Sequence, residues 1–483
     1  MSTLADLCLR LTAACVLGAS AAALQAPEAG AETFAEARDR AVARLITDLE
    51  GLAAWSADSE LYAERDRAWR AVLELDSEHA AARKALRFSK KNGLWVEPAA
   101  REVKNFNAKA LLLLPEKRQA VAEPFRTTML TALEKFDADE PTAALVYREI
   151  LAADPDDAVV HAVLGEVKFE EAWVLHETVT AKARRGQMKE LIASALADTG
   201  KLFVSEIRPF EAAMGVAFTH HYETKHVRVL GSGAKDEVEK TLRACEAAGD
   251  LVRFAFGLQT EHLPDYTVYL LANGGEKDAV LSGLPGIEPS FREFLKNVVG
   301  AKIPQQPYVV YWDRLAPKRI DGSVRQTLSD FFDRGLGLGM ESGWAYEGLG
   351  LYLTRELVGT RLTWFIQPDG ASKPDPLRSR LAKPDTNWIN EAFVLLSSPN
   401  HQSFAATLER DVNGMNVTDV MYAYALAAYF IEGRPTEGAE ILQRIGHGVG
   451  GTRQTTAEAV KAVLKLDLRA LEKRLVRWLS ERR

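Results

Sequence analysis

The chain has 483 residues, 47% of them hydrophobic and 26% charged, with a formal net charge of -7 at pH 7. That length predicts two or three domains rather than one core, and the composition is that of ordinary globular protein. A mildly acidic chain with pI near 5.9 and no long Lys/Arg block carries no electrostatic case for nucleic acid or an anionic membrane surface.

At the N-terminus, Arg10 precedes an uncharged stretch over residues 11–24 dominated by Ala, Leu and Val. Small-residue pairs suited to cleavage follow: Ala19 with Ala21, Ala21 with Ala23, and Ala29 with Ala31. This is the layout of a secretory signal, placed at residues 1–31, and it predicts an extracytoplasmic protein, periplasmic or secreted. Beyond it no stretch approaches the roughly 20 apolar residues of a membrane span, so no integral membrane segment is expected after signal removal. Cys8 and Cys15 fall inside the signal, leaving Cys245 with no disulfide partner and no metal-ligand cysteine spacing. It lies among Val238, Leu242 and Val252 at helical spacing and reads as a buried small hydrophobe.

Residues 35–208 read as helices nearly throughout. Two stretches within them are alike: Ala68-Trp69-Arg70-Ala71-Val72-Leu73-Glu74-Leu75-Asp76, followed by His79, and Val146-Tyr147-Arg148-Glu149-Ile150-Leu151-Ala152-Ala153-Asp154-Pro155, followed by Ala158 and Ala162. Each is an amphipathic helix stopped by an acidic turn, with a second helix opening on small residues. The arrangement resembles tetratricopeptide repeats, in which small residues let paired helices pack closely. Only two units are recognisable, and residues 94–115 interrupt them with Trp95 and a Pro-bounded apolar run. An independent solenoid normally takes at least three repeats, so an imperfect helical array over residues 32–208, leaning on its neighbours, is expected. The resemblance implies protein binding or a spacer role.

The texture changes near Phe218. Residues 225–230 alternate polar and apolar and read as a half-buried strand, and residues 236–256 read as a helix. Residues 266–272 and 308–312 are β-branched and aromatic runs, hence buried strands, with a helix at 290–299 between them. A small mixed α/β lobe over residues 215–320 is therefore expected, then a helical lobe over 321–483 with one β-like patch at 362–366. The predicted class is α+β, mostly helical.

One phrase carries chemistry. Gly343-Trp344-Ala345-Tyr346-Glu347-Gly348-Leu349-Gly350-Leu351-Tyr352 resembles the Trp-x-x-Glu-Gly-x-x-x-Tyr helix of the gluzincin zinc peptidases, in particular the peptidase MA-like domains found behind helical repeats in exported bacterial proteins. Tyr222-Glu223-Thr224-Lys225-His226-Val227-Arg228-Val229, Phe254-Ala255-Phe256-Gly257-Leu258, Tyr422-Ala423-Tyr424-Ala425-Leu426-Ala427 and Arg477-Trp478-Leu479 are similar to other phrases of that family. The resemblance runs from about Phe218 to the C-terminus.

It implies a zinc site. Two histidines four apart on one helix face hold the metal, the glutamate between them activates water, and a second helix supplies a carboxylate, the place Glu347 takes. By the family's spacing the histidine-bearing turn falls near Gln326-Thr327-Leu328-Ser329-Asp330. Neither histidine nor the general-base glutamate is present there, and no histidine occurs between His262 and His401. Asp330, Asp333, Glu341 and Glu347 are oxygen ligands that suit Ca or Mg better than Zn, and acids spread over two helices are commonplace. No catalytic residue, metal or cofactor is therefore expected, zinc being the family's. Glu347 is a remnant ligand, and Gln326, Asp330, Trp344, Glu347 and Tyr352 form the candidate cleft.

The remaining features read as structural. His176-Glu177 begins like a zinc motif but has Thr180 where a histidine belongs, and reads as a surface dipeptide. His220, His221 and His226 read as hydrogen-bonded structural residues, and the glycine runs at 335–339 and 446–451 as flexible connectors, lacking the strand-to-helix context of a phosphate cradle. Lys473, Arg474, Arg477, Arg482 and Arg483 read as one solvated face of a terminal helix. No Gly-x-Ser-x-Gly elbow supports a serine hydrolase.

The sequence thus points to an exported, non-catalytic, peptidase-like protein, a pseudoenzyme joined to a helical-repeat module, that binds or scaffolds a protein or peptide in what was the substrate cleft. The alternative is an active zinc peptidase with ligands from outside the usual motif, His226 or His447 for instance. A scaffold whose cleft is filled by its own side chains is a third reading, and the oligomeric state is not legible.

Overall fold

Helices dominate the computed structural model of the chain, with 65% helix and 10% strand, a mostly helical α+β class. It describes residues 32–99, 103–197, 202–257, 266–303, 306–366 and 375–482; the export signal read at residues 1–31 lies outside them. The chain divides into two compact units, Met1–Leu164 and Gly165–Arg483. Among the described residues no helix is long and apolar enough to cross a membrane.

In the first unit α1 (Phe34–Asp58) opens on a capping box, in which Thr33 accepts from the Glu36 amide and the Glu36 side chain returns the bond. Its stripe of Leu45, Leu49, Leu52 and Ala53 packs with Ala68, Ala71 and Val72 of α2 (Tyr62–Leu75). Beyond α3 (Ala80–Ala85), β1 (Ser89–Lys91) and β2 (Leu94–Val96) come α4 (Ala108–Lys135), α5 (Glu140–Ala153) and α6 (Ala158–Val163). Phe125 and Met129 of α4, with Val146 and Ile150 of α5, complete the core.

The two stretches alike in sequence take the same local course. Each forms a 14-residue helix, α2 or α5, that ends on an extended aspartate, Asp76 or Asp154. A 6-residue helix follows, α3 or α6, capped by His79 or Asp157. A left-handed residue then turns the chain, Arg87 at φ 64° and Gly165 at φ 72°. An antiparallel hairpin comes next in both, β1–β2 in the first and β3 (Glu166–Phe169) with β4 (Ala172–Leu175) in the second. The short second helix and the hairpin depart from the paired full-length helices of a tetratricopeptide repeat.

The second unit begins with that hairpin and α7 (His176–Ala197). Ala181, Met188 and Ile192 of α7 lie in this unit's core, although the sequence reading carried the helical array to residue 208. The unit's sheet is six-stranded, in the order β5–β6–β7–β8–β10–β9. Its strands are β5 (Phe203–Val204), β6 (His220–Glu223), β7 (Val227–Gly231), β8 (Tyr266–Leu271), β9 (Gly300–Lys302) and β10 (Tyr308–Trp312). β7, β8 and β10 are parallel neighbours and the outer strands pair antiparallel. Between β5 and β6 lies the short α8 (Pro209–Ala212), and after β7 comes α9 (Lys235–Phe256).

Side chains alternate across the sheet. Val227, Val229, Val268, Leu270 and Val309 join the core containing α9. Leu230, Tyr269, Leu271 and Val310 join the opposite core with α10 (Gly274–Gly283) and α11 (Pro289–Lys296). Burial on both faces is why the central strands are continuous apolar runs. The remainder is helical: α12 (Ala316–Leu336), α13 (Gly343–Val358), α14 (Pro376–Leu381), α15 (Trp388–Leu396), α16 (Phe404–Glu409), α17 (Val417–Ala428), a π-helical turn at Tyr429–Gly433, α18 (Pro435–Gly446), α19 (Thr456–Leu464) and α20 (Leu468–Arg482).

Four expectations are corrected. The β-like patch at 362–366 is no strand; Trp364–Ile366 is a 3-10 turn, and the Leu362 amide donates to Asp321 Oδ2 at 3.2 Å instead of to a strand. The glycine runs are not simply flexible connectors, for the two meet closely where Leu336 and Gly337 approach Gly446 and His447. A Cβ on Gly446 would stand 1.7 Å from the Leu336 carbonyl oxygen, and one on Gly337 2.7 Å from His447 Nδ1. Glu177 is no surface residue but is fully buried. Nor is the basic C-terminal helix only a solvated face: Arg474 pairs with Glu177 and Arg482 with the buried Glu432, since charges this deep need partners.

Candidate functional site

α12 and α13 pack together, and each is built for it. Val324, Leu328, Phe331 and Phe332 bury one face of α12, which stops at Gly337 in a left-handed conformation. On α13, Trp344 is fully buried and its Nε1 donates to Thr456 Oγ1 at 2.9 Å. A Cβ on Gly348 would lie 2.3 Å from the Ala423 carbonyl oxygen, so that glycine lets α17 come close. The tryptophan and the glycine of the motif are thus accounted for by packing.

Glu347 projects from α13 toward α12 and is 4% exposed. Its partner is Arg325, whose Nη2 donates to Glu347 Oε2 in a buried ion pair. Arg325 Nη1 donates to the Leu362 carbonyl at 2.7 Å. One turn earlier on α12, Asp321 accepts from Thr360 Oγ1 at 2.6 Å and from the Leu362 amide. The Tyr311 ring closes over Gly322, where a Cβ would meet Tyr311 Cζ at 2.0 Å.

The electrostatics follow from burial. Burial pushes the Asp321 carboxyl pKa up, against the Thr360 hydrogen bond and the Arg325 charge, which pull it down. For Arg325 burial acts to lower the pKa, but the Glu347 and Asp321 carboxylates outweigh it and hold the guanidinium charged. Burial first, then Asp321, pushes the Tyr311 phenol up to about 12. The result is one buried cation paired with Glu347 and further favoured by the charge of Asp321 nearby.

These residues do not fit a zinc ion. Arg325, with Asp321 four residues before it, faces Glu347 where metal-ligating histidines would be needed, and a guanidinium has no lone pair to offer a metal. Among the described residues no three His, Cys, Asp or Glu side chains cluster so as to hold a metal ion. His221 Nδ1 lies 2.6 Å from the Ser205 carbonyl oxygen and His447 Nε2 3.2 Å from that of Gly335.

The other candidate residues diverge from Glu347. Gln326, one position round the helix from Arg325, accepts from the Lys302 amide of β9 at 3.2 Å. Asp330 pairs with Arg334 at 2.8 Å and lies 3.8 Å from Lys302; burial raises its pKa against those cations. With His226 and Tyr266 it lines a small cavity of about 40 Å³. The Tyr352 hydroxyl donates to Glu432 Oε1 at 2.6 Å. The five residues expected to line one cleft therefore turn to different partners, Lys302 alone being shared, its amide by Gln326 and its ammonium by Asp330. Arg325, Asp321 and Thr360 went unnoticed in the sequence, where an acid and an arginine four apart on an amphipathic helix were the available signal.

Against this geometry, comparison with protein-family models, curated proteins and solved structures returns no match.

Proposed function

We propose that this is an extracytoplasmic, non-catalytic, peptidase-like protein that acts by binding or scaffolding a protein or peptide through its helical module. The observation that carries the reading is the Arg325–Glu347 ion pair. A cation from the chain itself takes the carboxylate that zinc would need, and the Leu362 carbonyl and Asp321 complete the surroundings. The position is filled from within, which favours a retained scaffold over a catalytic cleft.

Metal content by mass spectrometry on protein purified without chelators tests the non-catalytic half, beside a Glu347→Ala variant. Neither protein should carry stoichiometric zinc, and the variant should unfold at lower urea concentration because Arg325 is left buried and unpaired. Stoichiometric zinc that disappears in the variant would overturn the reading. The binding half is tested by purifying a captured envelope partner and titrating it against the chain; a signal that does not saturate counts against it. Recovery of the chain with the cytoplasmic fraction would refute export.

A further inference from the structure

We infer that the groove between α1 and α4 binds an extended peptide segment with an apolar centre and acidic flanks; this rests on the binding reading above and supplies its ligand class. The groove encloses about 350 Å³ between the two helices, within the size range of ligand sites. Along α1 its lining runs from Ala37 to Asp48, about 16 Å at the helical rise. That length matches roughly five residues of extended chain. The floor is apolar, with Leu45 and Phe125 buried and the Phe136 ring set edge-on to Phe34 at 6.1 Å.

The rim is basic. Arg40, Arg44 and Lys135 line the groove, with side chains 71%, 75% and 59% exposed. These three cations share two carboxylates. Glu32 takes Arg40 and stands 3.8 Å from Lys135, while Asp48 is 3.9 Å from Arg44. The Lys135–Glu32 and Arg44–Asp48 contacts are exposed and long, and such pairs hold their partners weakly, so incoming carboxylates can compete for Lys135 and Arg44, while Arg40 is the cation hydrogen-bonded to Glu32. Lysine or arginine flanks would meet like charge, and a wholly polar peptide would leave the floor uncovered. The exposed hydroxyls of Thr128 and Thr131, on α4 beside the groove, can meet the peptide backbone.

The test uses the full chain and two labelled hexapeptides, each with a Leu-Phe centre, one flanked by Glu and Asp and the other by Lys. Fluorescence anisotropy should show saturable binding of the acidic peptide, weakening with salt, and about tenfold weaker binding of the lysine peptide. An Arg40→Glu/Arg44→Glu double variant should bind the acidic peptide about tenfold more weakly while still melting cooperatively only slightly below the wild type, since both side chains are exposed and lose only surface pairs. Equal affinity for the two peptides, or undiminished affinity in the double variant, would overturn the inference. If the acidic peptide fails but a purified partner binds the double variant as well as the wild type, the groove assignment falls and the binding function stands. Loss of both peptide and partner binding in the wild-type chain removes both.

Discussion

Replacing Glu177 with alanine removes the acceptor at the centre of a buried cluster. Its carboxylate takes bonds from Arg434 Nε at 2.9 Å, Arg474 Nη2 at 3.0 Å and the Tyr429 hydroxyl at 3.0 Å. Burial alone would push its pKa up; the hydrogen bond and charge of Arg474, with the charge of Arg434, overcome that and draw it from 4.5 down to about 2. A difference of that size is worth about 3 kcal/mol at neutral pH. It agrees with the ~3–5 kcal/mol lost when one partner of a buried ion pair is deleted. Urea unfolding of the full chain at pH 7 should therefore show Glu177→Ala less stable by about 3 kcal/mol. Because the folded-state pKa is depressed, the wild type's advantage is complete above pH 4.5 and fades as the pH falls through about 2. A loss below about 1 kcal/mol, the size of an exposed pair, would refute the reasoning, as would a difference that stays constant across that pH window.

Three further outcomes follow from packing and burial. Gly446→Ala drives a methyl group into the Leu336 carbonyl and should cost about 1–3 kcal/mol; an unchanged urea midpoint would mean the two backbones are not in contact. Lys277→Met strips the carbonyls of Leu295, Lys296 and Val298 of the buried ammonium that donates to all three, for an expected loss of about 1–3 kcal/mol. Hydrogen exchange should show the end of α11 opening in that variant, and unaltered protection there would count against the role. The Cys245 thiol is fully buried, and burial is the main reason its pKa rises to about 12. It should resist iodoacetamide in the native chain and react once unfolded; rapid native labelling would contradict its burial.

Much of the second unit's frame was legible because its central strands are buried on both faces. Residues 266–271 and 308–312 had to be apolar and β-branched to sit between two helical layers, so their composition announced them. Phe203–Val204, His220–Glu223 and Gly300–Lys302 were missed as strands, since short outer strands owe their conformation to pairing rather than to a pattern of their own. The helix Gly274–Gly283 hid behind glycines at its first two positions, where Asn273 provides the cap. Glu347 was singled out, but its partner was not, because nothing local links it to Arg325, 22 residues away. Glu177 was misread for the same reason on a larger scale. An acid in the first turn of a helix is normally solvated, and only arginines 257 and 297 residues further along make its burial possible.

The repeated course of long helix, short helix and hairpin has a practical meaning for dissecting this chain. Its second copy straddles the division at Leu164 and Gly165, with α5 and α6 on one side and β3, β4 and α7 on the other. A fragment ended at residue 208 would carry α7 away from the residues that enclose it. Ala181, Met188 and Ile192 would be laid bare, and Glu177 would lose Arg434 and Arg474 together. Ending at residue 164 instead separates the short helix from its hairpin. The division between the two units therefore runs through a repeat, and the chain should be truncated by unit rather than by motif.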